Sequence, residues 1–135
     1  MKVFIVLFAC IILGSADDWK PKSKEEALQI REECFKLNNV PAPLVEKVKK
    51  FEYEDEESVR CHIKCTAEKV GVWDNVKGYD VDRLYDQVVI KEEVATNKDD
   101  LKKCIDDKHD GEDDCTWAYR NFKCMLDNKY LTKKD

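Results

Sequence analysis

Glycine and proline are scarce in this chain, at four and three in 135 residues. After residue 16 the only glycines are Gly71, Gly78 and Gly111, which leaves no glycine-rich phosphate loop and no flexible linker to divide the chain. Two histidines, His62 and His109, are a thin supply for general-base catalysis or metal ligation. Period-two alternation is nearly missing, and the helix formers Glu, Lys, Leu and Ala dominate, so the predicted class is all-α. Positive charge is not in excess either. The formal net charge is −5, which disfavours nucleic acid or an anionic membrane surface as a partner.

Long apolar runs are confined to the first residues. Lys2, the apolar stretch Val3 to Leu13 and the small residues Gly14, Ser15 and Ala16 have the layout of a secretory signal peptide cut between Ala16 and Asp17. The stretch is too short to cross a bilayer, which takes about 20 residues, so no membrane insertion is expected. Cleavage removes Cys10 with the signal and leaves residues 17–135 as one expected domain, secreted and extracellular.

Six short helices are predicted. Ser23 to Glu26 reads as a capping box for the first, which runs to about Asn38 with Ala27, Ile30, Cys34 and Leu37 inward. Pro41 to Pro43 launches a second through Leu44, Val45, Val48 and Phe51, and a third starts near Asp55 with Val59, Ile63 and Val70 inward. Gly71 to Gly78 is a connection holding Trp73. The fourth helix spans Asp80 to Glu92 with Leu84, Val88 and Val89 inward, the fifth Asn97 to Lys108, and the sixth Asp114 to Asn128, before a short tail from Tyr130.

Six cysteines remain after the signal: Cys34, Cys61, Cys65, Cys104, Cys115 and Cys124, in the pattern C-x26-C-x3-C-x38-C-x10-C-x8-C. An even set in an exported protein is a disulfide framework rather than a set of reactive thiols. Cys115 and Cys124, nine apart on one helix, are about 13.5 Å apart along its axis and cannot pair. Cys61 and Cys65 share one helix face with parallel side chains, so each reaches a different neighbour. Geometry leaves most of the 15 pairings open.

This cysteine pattern, together with Asp114-Cys115-Thr116-Trp117-Ala118-Tyr119, Phe122-Lys123-Cys124 and the segment from Gly71-Val72-Trp73 to Gly78-Tyr79-Asp80-Val81-Asp82, resembles the insect odorant-binding protein family across essentially the whole of residues 17–135. The resemblance implies the bonds Cys34–Cys65, Cys61–Cys115 and Cys104–Cys124. It also implies a compact array of six helices around an apolar cavity, at about 300 Å³ for the lower end of ligand sites. The implied function is a secreted, non-catalytic carrier of small hydrophobic ligands such as odorants, pheromones or fatty acids, in sensillar lymph or haemolymph, reaching a membrane receptor only indirectly. The alternative is a non-olfactory lipid scavenger or ligand-presenting protein on the same fold. Expected ligand contacts are Leu84, Val88, Val89, Ala118, Phe122, Met125, Tyr130 and Leu131; Trp73 and Trp117 are expected to be structural.

Other constellations carry no chemistry. His62 lacks a following Asp and a glycine-rich calcium loop, so it is read as a solvated helix position and not as a catalytic base. A zinc site at Cys61, His62 and Cys65 fails because an exported protein oxidises those thiols. Aligning Gly111 with the sixth position of a calcium loop puts Lys108 third and Trp117 twelfth, where an acid is required. No catalytic residue, metal or cofactor is expected. The tail from Tyr130 is long enough for a pH-sensitive lid but not for an inserting helix.

Overall fold

The computed structural model describes residues 18–134; the expected signal peptide, its cleavage site and Cys10 lie outside the described residues. Among the described residues six α-helices carry the fold: α1 Lys24–Leu37, α2 Ala42–Lys49, α3 Glu57–Val70, α4 Val81–Tyr85, α5 Lys98–Cys104 and α6 Asp114–Asp127. A π-helical turn, Asp86–Lys91, extends α4. Two small antiparallel ladders close the connections: β1 (Trp73–Asp74) pairs β2 (Gly78–Tyr79), and β3 (Val94–Ala95) pairs β4 (Thr132–Lys133).

The helix starts follow from local chemistry. Ser23 Oγ accepts from the Glu26 N–H at 3.1 Å while Glu26 reaches back to the Ser23 N–H, closing the capping box. Asp80, Asn97 and Asp113 cap α4, α5 and α6 in the same way, each accepting from a backbone N–H three residues on. Gly71 ends α3 in the left-handed conformation.

α3 is the central element, packed on α1 on one side and α6 on the other. The larger core joins the C-terminal half of α3 to Val72, Trp73, Tyr79, Leu84, Leu101, Trp117, Ala118 and Met125, and Trp73 stands edge-on to both Tyr79 and Trp117, at 4.9 and 4.7 Å between ring centroids. A smaller core of Phe35, Val48, Val59, Ile63 and Tyr119 fills the space between α1, α2, α3 and α6. Phe122 packs against both cores. The disulfides are Cys34–Cys65, Cys61–Cys115 and Cys104–Cys124, which tie α3 to α1 and to α6, and α5 to α6.

Several expectations are corrected. Leu37 is not inward but 60% exposed, because the last turn of α1 turns Cys34 and Phe35 to the core and Leu37 away from it. α2 stops at Lys49, and Phe51 follows in a left-handed conformation with φ 64°. The fourth helix is not continuous to Glu92. At Asp86 the hydrogen bonding widens to the π pattern, which takes more residues per turn. The inward face read at α-helical spacing therefore drifts: Gln87 is buried, Val89 is half-buried and Ile90 is 60% exposed. The fifth helix ends at Cys104 rather than Lys108, and the tail contributes strand β4. His62 is not solvated; it is 3% exposed and stacked on Phe35 at 4.1 Å and 5° between planes.

Candidate ligand cavity

A cavity of about 180 Å³ lies between α1, α3, the α4–π segment and the C-terminal end of the chain. α1 contributes Ala27, Leu28 and Arg31, and the α2–α3 connection contributes Phe51 and Tyr53. α3 presents His62, Ile63, Thr66, Ala67 and Val70, a spacing that keeps one helix face turned to the void. Val72, Tyr79, Leu84, Gln87, Val88, Glu92, Val94, Phe122 and Leu131 complete the wall. Leu28, 42% exposed, marks the side where the cavity meets solvent.

Of the expected contacts, Leu84, Val88, Phe122 and Leu131 line this cavity. Ala118 and Met125 do not: both are wholly buried in the larger core. Tyr130 packs beside that core with the Lys103 ammonium 5.6 Å from its ring centroid, and Val89 sits half-buried on the π turn outside the lining. Trp73 and Trp117 are core residues, and the Trp117 indole N–H is bound to the Asp106 carbonyl at 3.0 Å.

One end of the cavity is polar. The guanidinium of Arg31 acts electrostatically on Tyr53, His62 and Glu92 alike, so these groups share a neighbourhood. Burial pushes the Tyr53 phenol up to about 12, with Arg31 opposing. Burial likewise lowers His62 to about 4, leaving a neutral imidazole at pH 7. Glu92 is raised, again by burial, against the Gln87 hydrogen bond and the Arg31 charge. Gln87 is 1% exposed and fully engaged: its Oε1 accepts from the Lys22 N–H at 2.7 Å, and its Nε2 donates to the Lys22 carbonyl at 3.0 Å and to Glu92 at 2.9 Å. It thereby straps the N-terminal segment to the cavity wall. Arg31 Nε, His62 Nδ1 and Thr66 Oγ1 are buried without a hydrogen-bond partner.

The sequence reading missed this polar end and the whole α1–α3 wall. The positions His62, Ile63, Thr66, Ala67 and Val70 mark one face of α3 and were the available signal.

A small, disulfide-stapled helical domain that leaves a largely apolar void beside its central helix defines a binding protein. The chain belongs to the PBP/GOBP family, whose pattern matches residues 16–128. It is 35% identical to odorant-binding protein 22 of Aedes aegypti over the full length of both chains. It is also 35% identical to general odorant-binding protein 99a of Drosophila melanogaster, over 93% of this chain and 89% of that one. Among solved structures, Apis mellifera odorant binding protein 5 superposes with a TM-score of 0.61 at 22% identity, covering 81% of this chain and 93% of that one. OBP56a from the oral disk of the blowfly Phormia regina, described as a fatty acid binding protein, gives 0.59 at 23% identity over 78% and 90%. These two likenesses concern the fold.

Proposed function

We propose that the chain is a secreted carrier that holds one small hydrophobic molecule, an odorant, pheromone or fatty acid, in the cavity beside α3 and catalyses no reaction on it. The observation that carries this reading is the void itself: a chain of this family leaves about 180 Å³ unfilled and lines most of it with aliphatic and aromatic side chains. Binding draws mainly on burial of apolar ligand surface, at about 25 cal/mol per Å². The empty volume lies below the roughly 300–1,000 Å³ usual for ligand sites. Leu28, 42% exposed at the open side, is the lining apolar side chain with the most freedom to make room for a larger ligand. Residues 1–16 act as the signal peptide and residues 17–135 as the working domain, whose three disulfides suit an oxidising extracellular fluid such as sensillar lymph or haemolymph. Delivery to a membrane receptor is indirect, and among the described residues no helix is long and apolar enough to cross a membrane.

Displacement of a fluorescent apolar probe by a panel of long-chain acids, alcohols and volatile esters tests the reading. Displacement by members of the panel at micromolar concentration is expected; a protein that binds neither probe nor panel is not a carrier.

A further inference from the structure

We propose that residues 86–93, the π turn and the two residues after it, form a flap at the open side of the cavity, and that Gln87 is the latch that holds this flap to the N-terminal strap. This deepens the carrier reading and rests on it, adding the route by which a ligand enters and leaves. The flap supplies Gln87, Val88 and Glu92 to the cavity wall. Apart from Leu28, that wall consists of buried and half-buried residues, so loading the cavity requires part of it to move. The disulfides restrain the other walls. They join α1, α3, α5 and α6, and the chain has no cysteine between Cys65 and Cys104. The π turn packs mainly on α4 and β3, its own neighbours in the chain, and β3 is moored by its pairing with β4. The flap is therefore fixed at its two ends and carries no covalent tie between them.

Mouth, hinges and latch fall in one place. Leu28 lies one turn beyond Lys24 on α1, and Lys24 Nζ stands 3.7 Å from the Glu93 carboxylate, so the rim runs between the first turns of α1 and the flap. Glu93 has φ 56°, a left-handed conformation that a non-glycine residue holds under strain, and such strain gathers at clamps and switches. At the other end the hydrogen bonding widens to the π pattern at Asp86, a feature frequent at functional sites. Gln87 closes the flap. Its amide, 1% exposed, pairs with both backbone groups of Lys22, accepting from the N–H at 2.7 Å and donating to the carbonyl at 3.0 Å. The strap beyond that pairing is itself moored. Trp19 Nε1 donates to the Val70 carbonyl at 3.0 Å, and the Arg83 guanidinium lies 5.1 Å from the Trp19 ring centroid. The Lys24–Glu93 pair, 60% and 72% exposed, adds little. Two neutral hydrogen bonds from one side chain hold the flap to the strap, and they break and re-form without covalent change.

The test follows stopped-flow binding of the apolar probe N-phenylnaphthylamine and amide hydrogen exchange, both on the disulfide-bonded chain. Gln87→Leu keeps the bulk of the side chain and removes both bonds to Lys22. It is expected to raise the association rate about tenfold or more, the scale of two neutral hydrogen bonds, together with the dissociation rate. A lost ligand contact raises only the second. Backbone amides of residues 86–93 are expected to exchange about tenfold faster while those of α3 keep their protection. Trp19→Phe, outside the cavity lining, loses the bond to Val70 and keeps a ring. It is expected to raise both rates to a smaller degree with Kd within about threefold, and it decides the matter if Gln87→Leu folds poorly. Lys24→Gln, and Ala118→Val in the core outside the lining, are expected to leave both rates within about twofold. An association rate unchanged in Gln87→Leu overturns the gate and leaves the carrier reading intact, as does a loss of affinity carried by dissociation alone. Unchanged amide exchange over residues 86–93 overturns the latch whether or not the probe binds. Failure of the parent chain to bind any apolar probe removes the carrier reading itself, and the exchange result then decides the latch.

Discussion

The β1–β2 turn offers a quantitative test of how tightly the wall behind the cavity is packed. Gly78 has φ +81°, and a β-carbon built there stands 2.8 Å from Cζ2 of Trp117. Trp117 is 2% exposed, is held by its bond to the Asp106 carbonyl and stands edge-on to Trp73, so it has no room to retreat. Gly111 supplies the control: its φ is +77°, yet a β-carbon there meets nothing within 4 Å. Gly111→Ala therefore reports backbone strain alone, about 1–2 kcal/mol for an L-residue in the left-handed region. Gly78→Ala adds overpacking of about 1–3 kcal/mol, for a total of about 2–5 kcal/mol. Denaturant unfolding with the disulfides intact, followed by tryptophan fluorescence, measures both variants against the parent. If Gly78→Ala falls within about 0.5 kcal/mol of Gly111→Ala, Trp117 yields and the close-packing argument fails.

Three further outcomes follow from the same geometry. His62 has a folded pKa of about 4, below its ordinary 6.5, so the unfolded chain binds the extra proton between those values. Its contribution is complete above pH 6.5 and is lost as pH falls toward 4, by about 3 kcal/mol; a pH series of unfolding free energies loses that slope in His62→Gln, and an unchanged slope refutes the assignment. Val88→Phe fills part of the cavity and is expected to lower ligand affinity about tenfold with stability held or raised, whereas Ala118→Val, in a core without a void, is expected to cost about 1–3 kcal/mol; calorimetry with probe titration separates the two. Replacing Cys104 and Cys124 together by Ala opens a bridge spanning 20 residues and is expected to cost about 3 kcal/mol, against about 4 for Cys61 and Cys115 across 54, read as denaturation midpoints.

What the sequence disclosed was local in origin. Ser23 and Glu26 cap α1 through bonds spanning three residues, and the 3.6-residue period of Val59, Ile63 and Val70 marks the buried side of α3 with no knowledge of what it packs on. What it concealed depends on partners far along the chain. The burial of His62 follows from Phe35 on another helix, and that of Gln87 from the Lys22 backbone. The π turn leaves no periodic mark, since Leu84 and Val88 keep α spacing and only Val89 and Ile90 reveal the slip. The polar end of the cavity draws Arg31, Tyr53, Thr66 and Glu92 from four separate segments, none of which carries a motif.

The disulfides and the cavity are two sides of one constraint. On the scale of about 24 cal/mol per Å³ of void measured for core truncations, an empty 180 Å³ carries a penalty near 4 kcal/mol. A helix array free to relax lowers that penalty by letting α1 and the π segment settle onto α3. Cys34–Cys65 opposes the first movement, since it fixes α1 at a set separation from α3 one residue away from Thr66. The Gln87 bonds to the Lys22 backbone oppose the second, because the strap they form lies between the π turn and the start of α1. A ligand that fills the void removes the penalty without moving either wall. The same restraints that make the empty chain less stable than a solid core of equal size thus make the filled chain the more favoured state, and ligand occupancy should raise the unfolding temperature by mass action.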